Sequence, residues 1–424
     1  MACKEREGFV NVMRSRGALT TPSPSRWLRI EPASSGRVGF ATVCALMNAA
    51  AAAPNPRRRS LLARVPETGL LFVILALGTL LTVFGGTVKM PKFETGPDGQ
   101  RQRVFTTNAA GERTLVLEEK NKFLNAQNLT QLAKDTSFIA IMAVGATFII
   151  IAGGIDLSVG AIYALASVLG ALVFNLYGPD GARAGSPGMG VALGFFACIG
   201  VASLAGVLNG GMIVLLKVHP FIITLGTMAI YRGIAFVITK GQSIGSFPAA
   251  FRDLVRWETG GGLSLVPLAV MLLVTVVGGV YLSRLAAGRR IYAVGGNELA
   301  SRFSGIRIER VKLSVFLFSG LTAGIAALLN LGYYGAESSG DGQGYELNVI
   351  AAAVVGGASL TGGKGSALGA LLGALIIQMI NSGIVILGID QNYSQIITGA
   401  VVIVAVLLDQ LNNWLARRRL TQTV

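Results

Sequence analysis

RLAAGRRIYAVGGNELASRFSGIRIERVK, residues 284–312, is a polar island between two long apolar runs. It carries seven basic residues (Arg284, Arg289, Arg290, Arg302, Arg307, Arg310 and Lys312) against two acids, Glu298 and Glu309. The sequence Gly295-Gly296-Asn297 predicts a helix break, and Glu298–Phe303 reads as a short helix after it. In a chain that crosses a membrane many times, a basic loop of this kind stays on the inner side. A glycine-capped mini-helix inside such a loop has the form of a handle for another protein.

Composition outside the island supports many crossings. The chain has 424 residues, 52% of them hydrophobic and only 13% charged, with a mean hydropathy of +0.62. These values belong to membrane proteins rather than soluble globules. The net charge of +15 is therefore read by position. A nucleic-acid partner is excluded, because no soluble domain is available to carry a basic face. Cys3, Cys44 and Cys198 have neither metal-ligand nor disulfide spacing, so they read as small packing residues.

Apolar runs near the ~20 residues needed to cross the hydrocarbon core predict an all-α polytopic protein. Its ten spans fall at about 69–88, 137–152, 159–177, 189–216, 221–239, 263–283, 311–334, 347–362, 367–388 and 392–411. The second and eighth are short, which predicts tilted, broken or re-entrant helices. Both termini are placed in the cytosol, because that choice puts Arg57-Arg58-Arg59, the island, Lys364 and Arg417-Arg418-Arg419 on one side. The outer loop Gly335–Glu346 then has three acids and no base, as the positive-inside rule requires. The outer segment 89–136 is mixed, with eight basic and six acidic residues. Within it, Arg101–Thr107 and Arg113–Glu118 alternate around Asn108-Ala109-Ala110-Gly111, which predicts a hairpin.

Three domains follow. Residues 1–64 are a basic, proline-bearing extension expected to be disordered. Initiation at Met47 would make 1–46 an artefact, which N-terminal sequencing decides. Residues 65–415 form the transmembrane unit, and 416–424 a basic tail.

Two glycine-rich breaks interrupt the spans. Gly153-Gly154-Ile155-Asp156-Leu157-Ser158-Val159-Gly160 joins the second and third. Asp156 there is either an N-cap at the cytosolic edge or a group facing a transport path. The second break, Gly356–Ser366, joins the eighth and ninth. A shift of 209 positions superposes Gly153, Gly154, Gly160 and Ala161 on Gly362, Gly363, Gly369 and Ala370, a pattern of internal duplication. The second break resembles a phosphate loop but lacks glycine at 358 and Ser or Thr at 365. No catalytic triad, metal-ligand cluster or cofactor motif occurs. The intramembrane polar residues Asn209, Thr224, Thr227, Asn348 and Asn381 are candidates for a translocation pathway with Asp156 and Ser158, although such residues usually bond neighbouring helices. Arg232 must snorkel or pair, and His219 reads as a loop residue beside Pro220.

GGIDLSVG (153–160), PFIITLGTM (220–228), GRRIYAVGGN (288–297), Ser304-Gly305-Ile306 and VIAAAVVGGASLTGGKGS (349–366) occur in this order. With them the chain, over roughly 120–412, resembles the permease subunits of ribose-, xylose- and galactose-type ABC importers. The resemblance implies a dimerising inner-membrane permease, a cytosolic ATPase and a periplasmic sugar-binding protein as partners, and no enzymatic activity of its own. It implies that Gly295, Gly296, Asn297, Glu298 and Arg302 form the segment gripped by the ATPase. Asp156 favours the sugar branch, since related branched-chain amino-acid permeases tend to carry Asn there. Asn348 departs from the Asp common at its position, and the 95–120 insert has no counterpart. The alternatives are an ion-coupled secondary transporter, a channel, or a nucleoside or branched-chain amino-acid ABC permease.

Overall fold

The computed structural model describes residues 67–95, 101–107, 112–259 and 263–421. The expected N-terminal extension, the turn at Asn108–Gly111 and the last three residues of the tail lie outside the described residues.

Helix α1 (Thr68–Phe84) leads into six short strands: β1 (Thr87–Pro91), β2 (Phe93–Thr95), β3 (Arg101–Arg103), β4 (Phe105–Thr107), β5 (Arg113–Leu115) and β6 (Leu117–Asn121). Helices α2 (Ala126–Ile151), α3 (Val159–Leu176), α4 (Pro187–Leu216) and α5 (Pro220–Thr239) follow. Next come β7 (Ile244–Gly245), α6 (Ala249–Val255), β8 (Glu258–Thr259), β9 (Leu263–Ser264) and α7 (Leu265–Arg284). The island holds α8 (Ala286–Gly296) and α9 (Glu298–Phe303). The chain ends with α10 (Ile308–Tyr334), β10 (Ala336–Glu337), α11 (Tyr345–Val355), α12 (Ala367–Ile386) and α13 (Ser394–Thr421).

Seven of these helices, α2, α3, α4, α5, α7, α10 and α12, are long and apolar enough to cross a membrane. Three shorter apolar segments, α1, α11 and 391–407, complete the ten expected positions. The fold is all-α and polytopic, with small β elements at one end. The second span is not short: α2 has 26 residues, because Asn125 caps it by accepting the Asn128 N–H at 2.8 Å and its polar first turns extend the apolar run. The eighth span is short, at 11 residues. Helix α13 continues to Thr421, so residues 416–421 of the expected basic tail are helical.

The core is built around α2, whose residues 136–151 are all buried. Against it lies α10, which also packs closely on α4. Ala202, Gly206 and Gly210 recur every four residues on α4, opposite Phe316, Gly320 and Gly324 on α10. A side chain at Gly206 would strike the Phe316 carbonyl, and one at Gly320 would strike the Ala202 carbonyl. Small residues at this spacing let backbones approach where hydrophobic driving force between helices is weak. The outer faces of α4, α5 and α7 stay apolar and exposed, with Leu204, Leu215, Ile222, Val237, Leu273 and Val276 more than half exposed, as lipid contact requires.

The insert is more elaborate than one hairpin. β1 pairs with β6, β2 with β3, and β4 with β5, all antiparallel. The expected strand 101–107 is therefore split at Val104. Three backbone bonds close a ring at the junction: Lys92 N–H to Val116 O (2.8 Å), Val104 N–H to Lys92 O (2.9 Å) and Val116 N–H to Val104 O (3.0 Å). The ring residues are spaced twelve apart, one at each junction between neighbouring strand pairs, so each residue contributes one donor and one acceptor to a pseudo-three-fold hub.

Candidate functional site

Three clusters place the chemistry. At the island end, Gly295 and Gly296 close α8 rather than breaking it, and Asn297 forms the break with extended backbone. Its side-chain oxygen accepts the Ala300 N–H at 2.9 Å and starts α9. Lys312 Nζ lies 3.0 Å from Glu298 Oε2, and Arg302 bridges Glu298 (3.8 Å) and Glu309 (3.5 Å). Exposed pairs of this type contribute ~0–1 kcal/mol each, so they fix the orientation of α9 more than they stabilise the fold. Its apolar side chains face outward: Leu299 is 65% and Phe303 83% exposed.

This element is tied to both glycine breaks. The Gly363 N–H donates to Ile151 O at 2.8 Å, joining the second break to the last residue of α2. Gly295 lies against that bond, and a Cβ there would fall 1.7 Å from Ile151 O and 2.8 Å from Gly363 N. Tyr292 OH donates to Gly365 O at 2.7 Å, and burial raises the phenol above its ordinary range. Helix α8 is thus in direct contact with the end of α2 and with the second break. Gly153 and Gly362, the first pair in the 209-residue offset, both take left-handed backbone, at φ +82° and +86°.

The first break is organised by Asp156, which is 3% exposed. Tyr231 OH donates to Asn209 Oδ1 (3.1 Å), and Asn209 Nδ2 donates to Ser158 Oγ (2.7 Å). Ser158 donates to Asp156 Oδ1 through both Oγ (2.6 Å) and N (2.8 Å), and Ser319 Oγ reaches Asp156 Oδ2 at 3.4 Å. Every donor in the chain points toward the carboxylate, the arrangement that satisfies a buried acceptor. Thr224 joins from the side, accepting the Leu157 N–H (3.2 Å) and donating to Ile155 O (3.3 Å). Asp156, Ser158, Asn209 and Thr224 are thus brought into one network, with Thr227 a turn along α5. Asp156 is a buried organiser of the break, not a cap at an exposed edge.

Tyr231 and Ser319 join the network beyond the residues that the sequence singles out. Tyr231 shares a helix face with Thr224 and Thr227 by its spacing of seven and four, a signal available in the sequence. Ser319 carries no comparable signal.

The third cluster lies where the segment after α10 folds back into the bundle. Arg232 donates to the carbonyls of Ser339 (3.3 Å), Asp341 (2.6 Å) and Gly342 (3.1 Å). It stands twelve residues into α5, ~18 Å along the helix at 1.5 Å per residue. The arginine is paired and does not snorkel. Gly160, at the start of α3, faces Gly342 O and the Glu346 carboxylate, so the two irregular segments meet inside the bundle. Irregular backbone at that depth requires cover from protein or water. Around the contact, Tyr163 OH, Ser167 Oγ, both Glu337 carboxylate oxygens, Ser339 Oγ and Glu346 Oε2 are buried without a hydrogen bond of normal geometry.

The remaining pathway candidates lie apart. Asn348 is half-buried on α11, and no hydrogen bond among the described residues links it to Asp156. Asn381 bonds Gln378 (3.1 Å) and Ser394 (3.1 Å) at the end that carries the β insert. His219 caps α5, its Nδ1 accepting the Phe221 N–H at 3.3 Å.

Residues 128–406, which contain all three clusters, match the family described as "Branched-chain amino acid transport system / permease component". The chain belongs to this family. The permease is 39% identical over 290 residues to the ribose import permease protein of Bacillus subtilis, covering 68% of this chain and 86% of that protein. It is 37% identical to the D-allose transport system permease protein of Escherichia coli, over 68% and 85% of the two chains. It is 31% identical to the fructose import permease protein of Rhizobium meliloti, over 68% and 79%. No solved structure matches the permease. The β insert precedes the matched region. Family membership makes the chain a transport subunit of an integral membrane system and not an enzyme.

Proposed function

We propose that this permease forms the membrane path of an ABC importer for a monosaccharide or related polyol, in the cell (inner) membrane. The island end faces the cytosol and the β-insert end faces the periplasm, the orientation that places the basic island inside. A separate cytosolic ATPase grips α8 and α9 through Gly295, Gly296, Asn297, Glu298 and Arg302, and a periplasmic binding protein delivers the sugar. A second permease copy, identical or homologous, completes the path.

The observation that carries this reading is the α8–α9 element. It exposes Leu299 and Phe303 to solvent, yet it is seated directly on Ile151, Gly362 and Gly363. A partner that moved α9 would move the ends of α2 and α12 with it. The Asp156, Ser158, Asn209, Thr224 and Thr227 cluster supports the first break during that movement. Asn348 and Asn381 stand at separate positions along the path. Sugar specificity of this kind accords with the names of the three relatives above, which specify ribose, D-allose and fructose.

The test replaces Leu299 and Phe303 together with aspartate in the complex reconstituted with its ATPase and binding protein. Uptake is expected to be lost while the permease unfolds at its original temperature, since neither side chain is packed. Normal uptake by the double variant would refute the coupling role. One observation favours ion coupling instead: Glu337 is a carboxylate 1% exposed with no hydrogen-bond partner of normal geometry. Uptake that collapses with an uncoupler at constant ATP would select that reading.

A further inference from the structure

At the β-insert end, α2, α12 and the turn before α13 enclose a cavity of about 430 Å³ open on one side. That volume lies in the ~300–1,000 Å³ range of small-molecule sites. Its polar lining is chemically narrow. Five side-chain amides or their relatives in function dominate it: Asn128, Gln131, Gln378, Asn381 and Gln391. Ser382 and Ser394 add hydroxyls, and Leu132 with Ile384, Val385 and Ile386 supplies an aliphatic wall.

The polar groups hold one another in position. Ser394 Oγ donates to Asn381 Oδ1 (3.1 Å), Asn381 Nδ2 to Gln378 Oε1 (3.1 Å), and Gln378 Nε2 to Asp135 O (3.2 Å). Ser382 Oγ donates to Asn128 Oδ1 (3.1 Å). Each amide nitrogen has two N–H groups. Asn381 and Gln378 each use one in this relay, so each keeps a donor. Gln391 makes no side-chain hydrogen bond among the described residues. The cavity therefore offers several oriented donors and acceptors beside an apolar wall.

Charge decides which ligand suits it. Asp135 is the single ionisable residue in the lining. Lys134 lies 3.5 Å from its carboxylate and is 5% exposed at the side chain. That ammonium also donates to Gln131 Oε1 at 2.8 Å and sits over the rings of Tyr333 and Tyr334, at 4.2 and 4.9 Å from their centroids. The acid is thus compensated from behind, and no cation in the lining is left to receive a ligand carboxylate. A zwitterionic amino acid would leave its carboxylate without a counter-charge, which is costly in a partly closed site. A neutral polyol satisfies amide donors and acceptors with its hydroxyls and lays its C–H face on the aliphatic wall.

We propose that this cavity is a binding subsite for a neutral polyhydroxylated cargo, with Gln378, Asn381 and Gln391 as its contacting amides. This deepens the reading of the chain as a sugar permease and rests on it. Asn381 is a pathway candidate from sequence, and Gln391, on the turn before α13, adds a further amide to it in the same lining.

The test is saturation-transfer NMR on the full-length permease in nanodiscs. The probes are D-ribose, D-xylose, D-allose, D-fructose, D-glucose, myo-inositol and L-leucine. At least one neutral polyol is expected to show transfer, and leucine none. Asn381→Leu is expected to abolish the signal. Gln391→Ala alters an exposed side chain outside the packed relay, so it leaves the fold unchanged and is expected to weaken the signal several-fold. Absence of transfer from every polyol, equal transfer from leucine, or transfer unchanged in Gln391→Ala would overturn the proposal. The functional reading fails separately: if wild-type uptake in proteoliposomes needs no ATPase, the importer assignment is wrong whatever the cavity binds. If uptake is ATP-dependent and the cavity variants bind and transport like wild type, only the subsite is wrong.

Discussion

Replacing Gly295 with alanine should disconnect the coupling element from the membrane helices, whereas the same change at Gly296 should leave that seating intact. The two glycines are adjacent in α8, but their surroundings are opposite. An added Cβ at Gly296 meets nothing within 4 Å. At Gly295 it would fall 1.7 Å from Ile151 O, where ordinary contact begins at 3.4 Å, and 2.8 Å from Gly363 N. The end of α8 must therefore retreat by about 1.7 Å, because both neighbours are backbone and neither can rotate away. The intruding methyl also sits against the Gly363 N–H to Ile151 O hydrogen bond. Overpacking costs ~1–3 kcal/mol and a lost net hydrogen bond about 0.5–1.5 kcal/mol, for a combined ~2–4 kcal/mol against the seated position of α8. At about 1.4 kcal/mol per tenfold change in an equilibrium, that lowers the seated population at least about tenfold relative to the displaced one. The assay is ATP-dependent uptake by the reconstituted complex, with ATP hydrolysis followed in parallel. Gly295→Ala is expected to reduce sugar moved per ATP hydrolysed at least about tenfold, and Gly296→Ala, whose methyl meets nothing in this chain, to reduce it far less. Equal behaviour of the two variants, in either direction, would refute the claim that α8 works by direct seating on α2 and the second break.

Asp156→Ala leaves the Ser158, Asn209 and Ser319 donors without their terminal acceptor. A loss of ~2–4 kcal/mol is expected in unfolding measurements, from several unsatisfied buried groups, and Asp156→Asn should recover part of it because an amide oxygen still accepts. Arg232→Met removes the donors to three carbonyls of 339–342; a cysteine placed at Ser338 should then react faster with a water-soluble maleimide than in the parent. Gly320→Leu, aimed at the Ala202 carbonyl, is expected to prevent α4 and α10 from closing and to lower the melting temperature more than Gly279→Leu, where the nearest atom is 3.9 Å away.

Much of this architecture is legible in sequence because lipid imposes a length on every span. The third to seventh and ninth spans end within a few residues of where their hydropathy places them, and Glu298–Phe303 forms the mini-helix expected of it. The misses have physical causes. The first turns of α2 carry Asn128, Gln131 and Lys134, polar residues that read as loop, but Asn128 bonds Ser382 and Lys134 lies over two tyrosines at the β-insert end. Gly295 and Gly296 read as a break, yet a glycine can complete a helix, and only the facing Ile151 carbonyl explains why none but glycine fits at 295. The Asp156 network was half visible. Its members appear in sequence as scattered polar residues on four segments, and only the tertiary fold brings Asn209, Tyr231 and Ser319 to one carboxylate. The twelve-residue spacing of Lys92, Val104 and Val116 carries no hydropathy signal, so a three-armed insert read as a single hairpin.

The central claim is that this chain supplies the path while a separate ATPase supplies the energy. Component-omission uptake in proteoliposomes tests it most directly, with the permease assayed alone, with its ATPase, and with ATPase, binding protein and ATP together. Concentrative sugar uptake only in the complete mixture, lost on ATP depletion and indifferent to an uncoupler, is the predicted result. Concentrative uptake by the permease alone, driven by an imposed ion gradient, would contradict it.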